Sequence, residues 1–127
     1  MKVSYTYHPD QHHFLTKVLG TIELQDVLTH FDTLIADDSI TEPCFEIVDL
    51  GEAKNFDFGY YQSDSIMSRI KQFKQHRPYL GSFLIAHSDY FRGIGNMFHV
   101  VGEQMGIQID IAESLEDALS KVTSYFS

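Results

Sequence analysis

Four groups of residues are of types that can do chemistry, and each kind of chemistry demands companions that the sequence either has or lacks. Asp49 follows the largely hydrophobic stretch FEIV and precedes Leu50 and Gly51, at the strand-to-loop position where α/β proteins place reactive or ligand-binding groups. Phosphorylation of Asp49 would need an acidic pair after the first strand to hold Mg²⁺, an ion that takes oxygen ligands and offsets the charge of the phosphoryl group. The first two strands instead end at His8 and Gly20, so Asp49 reads as a carboxylate bonding to loop amides. His87, Ser88 and Asp89 are the residue types of acyl transfer, but three consecutive residues make a poor relay. No G-x-S-x-G turn surrounds Ser88, whose simpler use is to cap a helix. The seven histidines (8, 12, 13, 30, 76, 87 and 99) are scattered, and no two stand four apart on a helix. With Cys44 as the only cysteine, no metal-ligand set and no intrachain disulfide is expected. The triplet Asp57-Phe58-Gly59 matches a kinase motif in spelling only, because no glycine-rich loop or HRD accompanies it. No enzymatic activity and no cofactor are expected.

Charge narrows the partners. Nine Lys and Arg stand against eighteen Asp and Glu, a net charge of −9, which disfavours nucleic acid and anionic lipid as partners of the whole molecule. Arg69, Lys71, Lys74 and Arg77 form a local basic group near the end of a predicted helix, where cations offset the negative end of the dipole. No window approaches the ~18 apolar residues that span a bilayer, and MKVSYTYHPD lacks a signal peptide's apolar stretch. A cytoplasmic protein is expected.

The elements that must position these residues follow from periodicity. Val3, Tyr5 and Tyr7 alternate with Lys2, Ser4 and Thr6 as in a half-buried strand, and Pro9-Asp10 turns the chain into a second strand, Phe14 to Leu19. Val27, Leu28, Phe31, Leu34 and Ile35 recur at helical spacing. The third strand runs from Cys44 to Leu50. The second helix spans Tyr60 to Gln75, with Ile66, Met67, Ile70 and Phe73 inward and Pro78 beyond its end. YLGSFLIA, nearly all apolar, is a central strand. A third helix follows the Ser88 cap to Gly106, a fifth strand covers Ile107 to Ile111, and Ser114 with Asp117 opens the last helix. The order is ββαβαβαβα. Strands two to five recur at intervals of roughly 30 residues, the span of strand-helix-strand units. A chain of 127 residues with 43% hydrophobic and 21% charged residues is expected to form one domain over residues 1–127. Its sheet is expected to be mixed and five-stranded, antiparallel at the first strand only and packed with four helices.

The opening hairpin, the VDL that ends the middle strand and the acidic residue before the second helix resemble the SpoIIAA-like fold of STAS domains and their anti-sigma-factor antagonists. Gly20 and Thr21 ahead of the first helix are similar to those of small bacterial STAS/SEC14-like proteins of about this length. The antagonists carry a D-S-S-G sequence whose serine is phosphorylated at the head of the second helix. Aligned from VDL, the acidic position falls on Asp57 and the two serines on Phe58 and Gly59, so the resemblance implies partner recognition without the phosphoacceptor. Ser63 and Ser65 lie one to two turns further on.

The resemblance implies a protein partner, a homodimer and, from the SEC14 side, an apolar ligand such as a lipid. The corresponding partner surface is Asp57, Phe58, Gly59, Tyr60 and Tyr61. Here Phe58 with the adjacent tyrosines either forms an exposed apolar patch or packs beneath a loop. In the third helix, Gly93, Gly95 and Gly102 beside Phe91, Met97, Phe98 and Met105 fit either an apolar cleft or close packing in the core.

Overall fold

The hairpin forms where the alternation places it. β1 (Val3–His8) and β2 (His13–Glu23) pair antiparallel, joined by a 3₁₀ turn at Pro9–Gln11 and by His12 in the left-handed region (φ 59°). Residues 2–127 of the chain are described by the computed structural model. α1 (Leu24–Ala36) leads to β3 (Cys44–Asp57), α2 (Ser63–His76) to β4 (Tyr79–Ile85), and α3 (Asp89–Gln104) to β5 (Ile109–Ala112). α4 (Leu115–Tyr125) closes the chain. The sheet order is β1-β2-β3-β4-β5, parallel from β2 onward, as the element spacing requires.

α2 opens at Ser63 rather than Tyr60 and β5 at Ile109 rather than Ile107, and two strand ends differ more widely from the sequence reading. β2 does not stop at Leu19 and β3 does not stop at Leu50; they continue together to Glu23 and Asp57 as a ribbon beyond the rest of the sheet. The extension GEAKNFD is mostly exposed, so no apolar alternation marks it. Pairing with β2 holds it instead, helped by Thr21 Oγ1 donating to Asn55 Oδ1 at 2.8 Å. Gly20 takes φ 71° between two register shifts, a conformation glycine adopts without a Cβ penalty. Asp49 therefore lies within a strand, where its Oδ1 accepts from the Gly51 N–H at 2.9 Å.

The sheet separates two cores. Cys44 packs with Phe14, Phe31, Phe73 and Phe98 among α1, α2 and α3, whereas its neighbours Phe45 and Ile47 pack with Val122 of α4 on the opposite side. Fully burying each such aromatic or aliphatic side chain contributes about 1.5–3 kcal/mol. α4 starts as its sequence specifies: Ser114 Oγ accepts from Asp117 N–H at 3.0 Å, and Asp117 Oδ2 accepts from Glu113 N–H at 2.9 Å. α3 lies so close to β5 that a Cβ on Gly102 would sit 2.6 Å from the Ile107 carbonyl oxygen, and one on Gly95 2.8 Å from Ile111.

Candidate functional site

The junction between β3 and α2 is short. Asp57 ends the strand exposed, and Gly59 N–H donates to Gln62 Oε1 at 3.1 Å, which orders a 3₁₀ turn over Tyr60–Gln62 before α2 begins at Ser63. Tyr60 and Tyr61 are 65% and 82% exposed. The Tyr61 ring folds back over Gly59, where a Cβ would meet it at 2.7 Å. Phe58 does not join the tyrosines at the surface. It turns inward, half-buried, against Phe56 with ring centroids 5.2 Å apart. The candidate patch thus reduces to Tyr60 and Tyr61. Ser63 is buried at the start of α2, while Ser65 is exposed.

The three large side chains of α3 and that of Met105 at its C-terminal cap are not brought to one cleft. Phe91 packs against Phe56 at the ribbon, Met97 and Met105 pack onto the core beneath the helices, and Phe98 alone borders an apolar space. The physical reason is the use made of the glycines: Gly95 and Gly102 bring α3 down onto β5 and leave no gap beside them. That space is a partly open pocket of about 90 Å³ among α1, α2 and α3, with a mostly apolar lining that includes Val18, Phe56, Phe58, Ile70 and Phe98.

Beside that pocket lies a polar cluster that the sequence reading missed. Glu46, 2% exposed near the start of β3, pairs with His30 of α1, Oε2 to Nε2 at 2.9 Å. Thr16 Oγ1 donates to the same oxygen at 2.7 Å, and Ser82 Oγ donates to Oε1 at 2.9 Å. The Tyr79 hydroxyl completes the chain 2.5 Å from Ser82 Oγ, and burial raises the pKa of its phenol. A buried carboxylate of this kind is held only when its hydrogen-bonding capacity is met, and here groups from three other elements meet it. Glu46 inside the apolar run CFEIV, and His30 among Val27, Phe31 and Leu34, were the available signals, since an unpaired charge there would be prohibitively costly. Burial, then the Glu46 charge, pushes the Cys44 thiol up to about 12, so it is an inert core group.

The basic group is largely consumed by the fold. Arg69 pairs with Asp32, Lys74 Nζ donates to the Gly106 carbonyl at 3.1 Å, and Arg77 Nε and Nη2 donate to the Ile35 carbonyl at 3.1 and 2.9 Å. Among the described residues no group of three His, Cys, Asp or Glu is arranged to hold a metal ion, and no helix is long and apolar enough to cross a membrane.

No protein-family model and no curated protein sequence matches this chain. Solved structures do. An uncharacterised protein of the DUF3478 family with a SpoIIAA-like fold, from Shewanella loihica PV-4, superposes with a TM-score of 0.60 at 15% identity, covering 94% of this chain and 91% of that one. An anti-sigma factor antagonist from Mycobacterium paratuberculosis gives 0.56 at 14% identity, over 95% and 92% of the two chains. The Bacillus cell fate determinant SpoIIAA in its phosphorylated form gives 0.54 at 13% identity, over 94% and 98%. With the element order, the mixed sheet and the strand pairing all in agreement, the chain has the SpoIIAA-like fold.

Proposed function

We propose that this chain is a non-catalytic regulatory domain of the cytoplasm that works by binding a protein partner, through a surface centred on Tyr60 and Tyr61 and without a serine phosphorylation switch. One observation carries the reading. Two adjacent tyrosines stand 65% and 82% exposed on an ordered turn at the head of α2, and tyrosine is among the residues most enriched at binding hot spots. The absence of a hydroxyl at Phe58 and Gly59, with Ser63 buried, supports recognition that does not depend on modification. Affinity capture followed by mass spectrometry, run with wild type and Tyr61→Ala in parallel, tests it. A partner recovered by wild type should fall by about tenfold with the variant, the effect of removing one hot-spot side chain. Equal recovery by both proteins would sink the assignment.

A second reading, a carrier of a small apolar ligand, is favoured by the apolar pocket walled in part by Phe56 and Phe58. It ranks second because about 90 Å³ falls well short of the ~300–1,000 Å³ of ligand pockets, so a lipid chain needs the helices to part. Native mass spectrometry of the purified protein, and analysis of its solvent extract, should reveal a copurifying apolar molecule if this reading is right, and none if the first is.

A further inference from the structure

We propose that the surface at the head of α2 takes an arginine of the protein partner, its guanidinium lying on the Tyr61 ring between the carboxylates of Asp57 and Asp64. This rests on the reading of the turn as the docking surface and adds the chemistry of the side chain that docks there.

The fold places Tyr61 in advance. A Cβ on Gly59 would stand 2.7 Å from Tyr61 Cε1 and 3.0 Å from its Cδ1, so one edge of the ring rests against the bare Cα of Gly59, and a side chain at that position would displace it. Gly59 has φ −102° and ψ 174°, extended backbone that any residue adopts, so the ring and not the backbone asks for glycine here. The rest of the ring is open to solvent. An aromatic side chain already held in position lowers the entropic cost of binding.

The charge beside this ring is negative and is not offset. Asp57 ends β3 exposed, in register with the exposed Glu23 at the end of β2. Asp64, exposed in the first turn of α2, stands three residues after Tyr61 and four after Tyr60, the spacings that bring side chains to one side of a helical turn. No ion pair among the described residues engages Glu23, Asp57 or Asp64. Lys54 is the only Lys or Arg from Val18 to Ser68, so three free carboxylates stand against one ammonium. Arg69, the next cation along the chain, is held by Asp32.

An exposed ring with carboxylates beside it selects a cation that can also stack. A guanidinium is planar, packs flat on an aromatic ring and presents donors in its own plane to oxygens alongside, whereas an ammonium is a strongly hydrated point charge. Arginine and tyrosine are both enriched at binding hot spots. The same carboxylates repel nucleic acid and anionic lipid, and an uncharged partner would leave them unanswered. A basic protein segment fits, against a chain of net charge −9.

Selection from a phage-displayed library of random linear peptides on the immobilised full chain is expected to return arginine-bearing sequences. Replacing that arginine by lysine in a selected peptide should weaken binding by about tenfold, because the charge stays and the stacking goes. On the protein, Tyr61→Ala should also weaken it by about tenfold, while Tyr61→Phe, which keeps the ring, should leave it within about twofold. Asp57→Asn combined with Asp64→Asn should weaken it by about tenfold and flatten its dependence on salt. Gly59→Ala should weaken binding at a thermal midpoint equal to wild type, since the ring it displaces lies at the surface. The proposal is overturned if no peptide is selected, if lysine serves as well as arginine, or if the doubled asparagine variant or Gly59→Ala binds as wild type does. Selected peptides that lack arginine yet lose binding in Tyr61→Ala would refute this inference and leave the proposed function standing. Arginine-bearing peptides indifferent to Tyr61→Ala would refute both.

Discussion

Glu46 shows how much one residue can commit a fold to. Its carboxylate is buried and accepts from Thr16, His30 and Ser82, so removing it takes the acceptor away from three buried donors. Glu46→Ala is expected to cost about 3 kcal/mol or more, since each buried donor deprived of its acceptor costs about 1–3 kcal/mol. Urea unfolding checks this, and a loss under about 1 kcal/mol would mean that water replaces the carboxylate. His13 gives the pH dependence. Burial is the main reason its pKa lies below the ordinary histidine value, and it prevails over the opposing contact of Nδ1 with the Gln11 carbonyl. With the folded value depressed, the unfolded chain binds more protons in the window between the two values. The stability His13 contributes is therefore full above about pH 6.5 and is lost as pH falls toward the depressed value. His13→Gln should flatten this slope in unfolding midpoints measured across that window, and parallel curves for the two proteins would refute burial as its source.

At the scale of elements, α3 carries two glycines with opposite expectations. Gly102 meets the Ile107 carbonyl, which is backbone and cannot move aside, so Gly102→Ala should destabilise the protein by about 1–3 kcal/mol. Gly93 has nothing within 4 Å of an added Cβ, so Gly93→Ala should stabilise it by about 0.5–1 kcal/mol through helix propensity. Thermal unfolding of the two variants separates the packing role from the propensity cost, and equal shifts would contradict the close approach of α3 to β5. The ribbon of β2 and β3 makes a related point. Leu19–Glu23 and Gly51–Asp57 lack the alternation that announced the earlier strands, because a ribbon wetted on most of its surface gains from backbone pairing and little from burial. Periodicity reports burial, so it fell silent where pairing took over.

At the scale of the whole molecule, the helices α1 to α3 and the ribbon line a partly open apolar pocket, with Phe56 and Phe58 in its wall. Phe58→Ala should enlarge it and cost about 2 kcal/mol, below the ~3–5 of a fully buried Phe→Ala, and should increase xenon-induced shifts of pocket methyls in NMR spectra. An unchanged xenon response would mean that the neighbours collapse into the space. The sequence alone determined the element order, the antiparallel opening and the parallel remainder, the caps at Ser88 and Ser114, and the lack of a hydroxyl at Phe58 and Gly59. All of these are local or periodic properties, written in consecutive residues and in recurring apolar positions. Tertiary structure decided which of the candidate residues meet. It turned Phe58 inward while leaving Tyr60 and Tyr61 out, spent the α3 glycines on contact with β5, tied three of the four clustered cations to the chain's own groups, and joined Thr16, His30, Glu46, Tyr79 and Ser82 from four elements into one buried network. Partners so far apart in the chain are chosen by how the layers pack, and no spacing within a single segment records that choice.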